Sequence, residues 1–189
     1  MESEKMKTGK EYSFAGYRWI PIEIDEDKQI AVMQSLGVTS GPWPGFSMEK
    51  FGDDNYYDRH IAGADISSYN EATEKLMEQI KSVVIDTLSG RGLYLASYKN
   101  IDSVEDVHTN NVWKTALTKA AANFSLFGAP VNGVWLGNVY GSSNAWYAYQ
   151  YGGMYNNYYQ DSTFVVAPAF NLDLTKIEIK GDEIAIKNI

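Results

Sequence analysis

Short runs rich in apolar residues flank turns near both ends of the chain, and in the second pair of runs apolar and charged residues alternate. Near the start, YRWIPIEI (Tyr17–Ile24) and QIAVMQS (Gln29–Ser35) flank a turn at Asp25–Asp27, which predicts a β-hairpin. Near the end, KIEIK and EIAIK flank Gly181-Asp182, and a two-residue loop that begins with glycine predicts a type II′ turn. A hairpin is therefore expected within residues 174–189.

The middle of the chain has helical rather than alternating periodicity. Apolar residues recur on one face over Asn70–Leu88, after the capping pair Ser67/Ser68, and this spacing predicts a first helix. A second helix is predicted from Ser103 or Thr109 to about Phe124. A short strand over Gly92–Ser97 separates the two helices, and residues 37–63 are too rich in Gly, Pro and Asp for regular structure.

The remainder of the chain favours strands. They are predicted at Val134–Val139, Ala145–Tyr151, Met154–Tyr159 and Phe164–Leu172, with a turn at Gly152-Gly153 and an interruption at Pro168. Strands, two helices and again strands indicate an α+β fold with twisted antiparallel sheets. The length of 189 residues suits one domain, 1–189, and we expect residues 1–11 to be flexible.

Composition and charge exclude several classes of function. The net charge is −8 and the pI is near 4.7, which argues against nucleic-acid and membrane-surface partners. The absence of cysteine excludes disulfides, zinc ribbons and thiol nucleophiles. The charged start has no signal-peptide pattern, and no apolar run is long enough to suggest membrane insertion.

Charge nearly disappears between Ala120 and Asn171, where Asp161 is the single charged residue. Within residues 132–163 lie seven of the 14 tyrosines, together with five asparagines. Tyrosine offers rigid contact area, and Asn, Ser and Gly offer adaptable hydrogen bonds, as in antibody paratopes. The segment is therefore interpreted as a binding surface; the alternative is an ordinary tyrosine-rich sheet.

Catalytic patterns are weak, and we expect neither a catalytic residue nor a cofactor. Surface acids are the default interpretation of Asp53, Asp54 and Asp58 beside His60, although oxygen ligands of this kind also suit a cation. A glycan-active enzyme that pairs Asp161 with one of these three acids stays open as an alternative. No nucleophile elbow, HExxH motif or phosphate-binding glycine loop occurs in the sequence.

Two segments together resemble a bacterial and phage domain family. The opening FAGYRWIPIEID…KQIAVMQ resembles its G-x-x-W hairpin, and VWLGN…NAWYAYQYGG…FVVAPAFNL is similar to its W-L…V-R-P-A-F-N-L ending. The resemblance implies a C-type lectin fold and kinship with the variable proteins of diversity-generating retroelements. Gly137-Asn138 stands where relatives often have Arg-Ser, and Ala167 stands where arginine usually precedes proline.

In such systems, mutagenesis of adenines in AAC codons produces Tyr, Asn, Ser, Asp and other residues, but not Trp, Met or Gln. The resemblance therefore implies a variable segment at 132–163 on a scaffold that includes Trp135, Leu136, Trp146, Gln150 and Met154. The candidate ligand-binding residues are Asn138, Tyr140, Ser142, Ser143, Asn144, Tyr147, Tyr149, Tyr151, Tyr155, Asn156, Asn157, Tyr158, Tyr159, Asp161 and Ser162. A static family member with Tyr/Asn-rich strands is the alternative.

The expected function is non-catalytic, calcium-independent binding of a protein or glycan ligand. Calcium independence is expected because the proline motif and Trp-Asn-Asp of calcium-dependent lectins do not occur. A structural subunit of a virion or cell surface, with the tyrosines at an oligomer interface, stays open. The location is undetermined, although a phage virion or prophage-encoded protein is compatible with the resemblance, and the oligomeric state is likewise open.

Overall fold

A computed structural model describes residues 4–37, 39–40, 74–85, 93–94, 96, 111–123, 125–126, 129–130, 133–140, 144–149, 154–158 and 164–188. These segments form helix α1 at residues 74–80 and helix α2 at Asn111–Asn123. Fourteen strands accompany them in the described chain. They are β1 (Tyr12–Phe14), β2 (Tyr17–Asp25), β3 (Ile30–Ser35), β4 (Thr39–Ser40), β5 (Leu93–Tyr94), β6 (Ser125–Leu126), β7 (Ala129–Pro130), β8 (Gly133–Tyr140), β9 (Asn144–Tyr149), β10 (Met154–Tyr158), β11 (Phe164–Val166), β12 (Ala169–Asp173), β13 (Ile177–Lys180) and β14 (Glu183–Ile186).

A seven-stranded sheet has the order β13-β14-β1-β2-β3-β12-β5. Both predicted hairpins are confirmed, because β2 pairs antiparallel with β3 and β13 pairs antiparallel with β14. Gly181 has φ 63°, whereas Asp182 is not among the residues with positive φ, and this pattern suits the predicted type II′ turn. The C-terminal hairpin joins the sheet through a parallel pairing of Ser13 with Glu183.

A five-stranded sheet has the order β10-β9-β8-β11-β4. Its strands β8, β9 and β10 are antiparallel neighbours, whereas β11 lies parallel to β8. The described part of the chain also contains a small ladder of β6 and β7. Both larger sheets are mainly antiparallel, and the predicted α+β class is confirmed.

The predicted strand Phe164–Leu172 is divided between the two sheets. Residues before Pro168 form β11 in the five-stranded sheet, and residues after it form β12, which pairs with β3 in the seven-stranded sheet. Proline lacks the N–H group that a continuous ladder needs, so Pro168 is a suitable place for the chain to change sheets. The carbonyl of Pro168 accepts a hydrogen bond from the Ser35 N–H at 3.1 Å.

Two apolar cores hold these layers together. The first core contains Trp19, Met33, Trp135 and Phe170, and helix α1 covers it with Leu76, Ile80 and the following Val83. The second core contains Ile20, Leu36, Val134, Leu136 and Ala169, and helix α2 covers it with Trp113, Ala116, Leu117, Ala120 and Ala121. Neighbouring residues such as Trp19 and Ile20 enter different cores because successive strand residues point to opposite faces.

The first predicted helix ends earlier than Leu88. Residues 81–83 form a turn, and Val84 makes a β-bridge with Leu172. The Ile85 N–H donates to the Asn171 carbonyl at 2.8 Å, and the Asp173 N–H donates to the Val83 carbonyl at 2.8 Å. The edge of β12 thus hydrogen-bonds to the Val83 carbonyl and the Ile85 N–H, which a longer helix would pair internally. The β-branched residues Val83, Val84 and Ile85 also favour an extended backbone over a helix.

The second helix agrees with its prediction in its body, because Asn111–Asn123 lies within the expected range. Within the strand predicted over Gly92–Ser97, the structure describes Leu93–Tyr94, which form β5, and Ala96, which lies outside any strand. Most of the predicted loop 37–63, the helix caps Ser67, Ser68, Ser103 and Thr109, and the turn Gly152-Gly153 lie outside the described residues. Residues 4–11 make contacts with the sheet, including a hydrogen bond of 2.9 Å from the Gly9 N–H to the Pro21 carbonyl.

Candidate functional site: the tyrosine-bearing face of the five-stranded sheet

Three aromatic residues lie in one row across strands β8, β9 and β10. Trp135 is opposite Tyr147, and Tyr147 is opposite Tyr155. Tyr149 lies two residues after Tyr147 and therefore projects from the same face of the sheet. We name Tyr147, Tyr149 and Tyr155 the tyrosine cluster.

The rings of the tyrosine cluster contact one another directly. Tyr149 and Tyr155 meet edge to face, with centroids 5.6 Å apart and an interplanar angle of 87°. Tyr147 lies 6.3 Å from Tyr149 and 6.1 Å from Tyr155, measured between ring centroids. Edge-to-face contact is a favourable arrangement for aromatic rings, so each ring restricts the motion of its neighbours.

Trp135 adjoins the cluster at the buried end of this row. Its ring meets that of Tyr147 edge to face at 6.1 Å and 87°, and its side chain is only 1% exposed. Trp135 belongs to the first core, and Tyr147 packs against the same core. The cluster is thus continuous with the interior of the protein rather than attached to a loose loop.

Exposure increases across the row towards β10. Trp135 is buried, Tyr147 and Tyr149 are half-buried, and Tyr155 is 51% exposed. Among the residues whose burial is described, Tyr155 is the one large apolar side chain classed as exposed. The row therefore begins at a buried tryptophan and ends at a solvent-exposed tyrosine. Tyr147, between them, also packs against the first core.

The opposite face of the same sheet packs on helix α2. Val134, Leu136 and Ala148 are buried in the second core, and Trp146 packs against that core. Strand alternation places these residues on one face and Trp135, Tyr147 and Tyr149 on the other. Burial of the first set fixes the register of β8 and β9, because a slip of one residue would exchange the two faces.

Gly133 makes room for the backbone and rings at the start of β8. A Cβ at this position would lie 2.4 Å from the Ala148 carbonyl oxygen and 2.6 Å from Cδ2 of Tyr147. Gly133 pairs with Tyr149 across the ladder. A glycine inside a strand often marks such a close approach, and the glycine of GVWL is the sequence signal for this one.

Six of the other candidate residues belong to described strands, and the rest lie outside the described residues. Asn138 and Tyr140 lie in β8, Asn144 lies in β9, and Asn156, Asn157 and Tyr158 lie in β10. The five-stranded sheet therefore brings these candidates to the same three strands as the tyrosine cluster. Ser142, Ser143, Tyr151, Tyr159, Asp161 and Ser162 lie outside the described residues, as do Asp53, Asp54, Asp58 and His60.

A buried polar contact joins the two sheets to helix α2. The fully buried amide of Gln34 donates from Nε2 to the Ala167 carbonyl at 2.7 Å and accepts from Trp113 Nε1 at 2.8 Å. Ala167 precedes Pro168 at the sheet change, so this amide fixes the position of β11 relative to β3. The sequence pattern does not predict this hydrogen bond. Gln34 stands within a predicted strand and Trp113 on the apolar face of a predicted helix, and neither position indicates a buried polar contact.

Glu11, which precedes strand β1, is the centre of a group of charged side chains. Glu11 accepts hydrogen bonds from Lys119 of helix α2 and from Arg18 Nε at 2.9 Å, and Arg18 also contacts Asp182 at 3.2 Å. The contact with Lys119, followed by that with Arg18, holds the pKa of Glu11 below its ordinary value. Hydrogen bonds from Thr175 similarly lower the pKa of Asp173. In contrast, the sequences of β8, β9 and β10 contain no charged residue.

Within the described segments, no group of three or more His, Asp or Glu side chains is arranged to hold a metal ion. No described helix is long and apolar enough to cross a membrane.

No protein-family model, curated protein or solved structure matches this chain. The assignment of a function therefore depends on the geometry of the tyrosine-bearing face and on the sequence around it.

Proposed function

We propose that this protein is a non-catalytic binding protein that recognises a protein or glycan ligand through the tyrosine-bearing face of its five-stranded sheet. The observation that supports the proposal most directly is the graded exposure of Tyr147, Tyr149 and Tyr155 on a buried Trp135. The other candidates of β8, β9 and β10 lie on the same strands, with Asn157 at a position on the face of Tyr155 and Asn156 and Tyr158 at positions on the opposite face. The fifteen candidates within residues 138–162 are proposed as the segment that carries the binding surface, and the tyrosine cluster is the part of it that supports the proposal.

The physical basis of binding is burial of tyrosine rings that are already fixed. Full burial of one large apolar side chain contributes about 1.5–3 kcal/mol. Ordering a mobile side chain at an interface costs roughly 0.5–1.5 kcal/mol, and ring-to-ring contact reduces this cost for the tyrosine cluster. A few such rings are a common source of binding energy in protein interfaces.

The rings contact one another at 5.6–6.3 Å between centroids, which leaves no gap between them for a ligand. A ligand therefore lies across the outer face of the cluster rather than between its rings. This arrangement supports recognition of an extended surface and does not suggest an enclosed small-molecule pocket.

We further propose that the domain is a C-type lectin fold of the kind found in variable proteins of diversity-generating retroelements. The G-x-x-W hairpin, the W-L strand and the P-A-F-N-L ending support this, since they form β2–β3, β8 and β12 of the core. In the proposed fold, residues 132–163 are the diversified segment, and the ligand is bound without calcium.

Binding is tested with purified protein on a glycan array and on an array of bacterial surface proteins. Tyr149→Ala and Tyr155→Ala are expected to weaken each interaction at least tenfold. Tyr17→Ala is the matched control, because Tyr17 is a half-buried tyrosine on the other sheet and pairs with Phe14. Equal loss in the Tyr17→Ala variant, or full binding by both cluster variants, would contradict the proposal.

The role of calcium and of diversification is tested separately. Titration of the identified ligand in the presence of EDTA is expected to give the same affinity, and loss of binding would count against calcium independence. The gene is expected to carry AAC codons at candidate positions, with a near-copy of the segment and a reverse-transcriptase gene nearby. If the gene lacks these features, the proposal of diversification is wrong, whereas the proposal of a binding surface is unaffected.

A further inference from the structure

The two larger sheets end in four edge strands that differ in how they are protected. In the described part of the chain, these edges are β13 and β5 of one sheet and β10 and β4 of the other. The described parts of β4 and β5 are two residues long, which is too short by itself to recruit a new strand effectively. Strand β13 carries Glu178 and the exposed Lys180, and charged edge residues oppose further pairing.

Strand β10 has none of these protections. It is five residues long, and its sequence MYNNY contains no charge, proline or glycine. Its neighbour β9, NAWYAY, is also uncharged, and β10 pairs with β9 over all five positions without a bulge. Tyr155, its second residue, is 51% exposed. Its outer edge has no partner among the described strands.

From this contrast, we propose that β10 is an interface between two copies of this chain, which pair antiparallel through their β10 edges into one continuous sheet. A second copy is the favoured occupant because each chain carries a net charge of −8, and two copies repel least where their strands are uncharged. The strand also presents the same edge on both copies, as a two-fold interface requires. Pairing of five residues supplies roughly four to six backbone hydrogen bonds.

The symmetry of this pairing has a consequence for the tyrosine cluster. Two antiparallel strands that lie side by side are related by a two-fold axis perpendicular to the sheet, so both copies keep the same face outward. With the axis at Asn156, position 155 of one copy lies opposite position 157 of the other. The two tyrosine clusters then lie on one face of a ten-stranded sheet and form a double-sized surface.

The first test measures self-association by sedimentation equilibrium from 1 to 500 µM, which covers dissociation constants in the micromolar range. We expect a monomer–dimer equilibrium. Asn156→Lys places like charges opposite each other at the axis and is expected to raise the dimer Kd at least tenfold. Asn144→Lys, which adds the same charge to β9, is the matched control and is expected to leave the Kd within twofold.

The second test uses the absence of cysteine from the chain. Residues directly opposite in an antiparallel pair have Cα atoms about 4.5–5.5 Å apart, which suits a disulfide. Asn156→Cys is therefore expected to form a covalent dimer under mild oxidation, whereas Asn144→Cys is not. Tyr155→Cys and Asn157→Cys check for a shifted axis, and a crosslink at either one supports edge pairing with that register.

A wild-type protein that stays monomeric at 500 µM would overturn the proposal, even if an unrelated extended peptide binds the edge. Crosslinking at none of positions 155–157, or equal crosslinking at Asn144→Cys, would also overturn it. If Asn156→Lys fails to fold by circular dichroism, the cysteine variants still decide the question. The outcome is distinct from ligand binding, because Tyr149→Ala on β9 is expected to weaken binding of the ligand and leave the dimer unchanged.

Discussion

The indole N–H of Trp113 donates a hydrogen bond of 2.8 Å to the side-chain oxygen of Gln34, and both residues are buried. This contact joins helix α2 to strand β3, 79 residues apart in the chain. Through its Nε2, Gln34 continues the link to the Ala167 carbonyl at the point where the chain changes sheets. The side-chain amide of Gln34 therefore links helix α2 to both sheets that support the candidate site.

Trp113→Phe is expected to lower the free energy of unfolding by about 2–4 kcal/mol. The variant leaves the buried Gln34 oxygen without the indole donor and reduces the volume of the second core. Urea denaturation followed by circular dichroism measures the change. Val112→Ala, at the preceding and only partly buried position, is the control and is expected to lose about 1 kcal/mol or less. Equal losses in the two variants would show that the hydrogen bond does not contribute measurably to the free energy of unfolding.

The tyrosine cluster and its support should differ sharply in their contribution to stability. Trp135→Ala is expected to cost about 3–5 kcal/mol, because it empties a buried site in the first core. Tyr155→Ala is expected to cost less than about 1 kcal/mol, because that ring is half exposed. Thermal and urea unfolding of the two variants provide the comparison. A loss of several kcal/mol in Tyr155→Ala would mean that Tyr155 serves the core and not a ligand.

Gly133→Ala is expected to destabilise the protein by about 1–3 kcal/mol and to displace the ring of Tyr147. The added Cβ overlaps the Ala148 carbonyl oxygen and the Tyr147 ring, and relief requires a shift of β8 or of that ring. Thermal unfolding and the NMR signals of Tyr147 report the two effects.

Gly181→Ala is the control for the glycine variant. Nothing lies within 4 Å of a Cβ at Gly181, and its cost of about 1 kcal/mol comes from the positive φ alone. Its Tyr147 signals are expected to match those of the wild type. Unchanged Tyr147 signals in Gly133→Ala would contradict the proposed close approach.

The pairing of Glu11 with Lys119 and Arg18 predicts a stability that falls in acid. Because the pKa of Glu11 in the folded state lies below its ordinary value of 4.5, the contribution is complete above that value. It is lost as the pH falls through the lower folded-state pKa. Both basic partners are about 40–47% exposed, so solvent screening limits the contribution to about 1 kcal/mol at most.

Urea denaturation between pH 2 and pH 7 tests this expectation. Glu11→Gln should reduce stability at pH 7 and reduce the loss of stability below pH 4.5. Glu178→Gln serves as the control, because the exposed pair of Glu178 with Lys180 is 3.9 Å apart and contributes little. A Glu11→Gln variant with the same pH profile as the wild type would contradict the role of this ion pair.

The sequence by itself determined those elements whose signals are local. The β2–β3 hairpin follows from two apolar-rich runs around a turn, the β13–β14 hairpin follows from alternation around a two-residue turn, and the body of α2 follows from its apolar periodicity. These patterns can be read from neighbouring residues because each element buries one face.

Tertiary structure alone decided the features that depend on distant residues. The sequence marks an interruption at Pro168, but only the pairing of β12 with β3 shows that the chain enters another sheet there. Helix α1 ends before Val84 because the edge of β12 captures the backbone. Tyr147 is half-buried, whereas Tyr155 is exposed, because the first residue lies beside Trp135 and the second lies on the outermost of the described strands of its sheet. An identical side chain therefore serves the core or the surface according to its neighbours across strands, which local sequence does not specify.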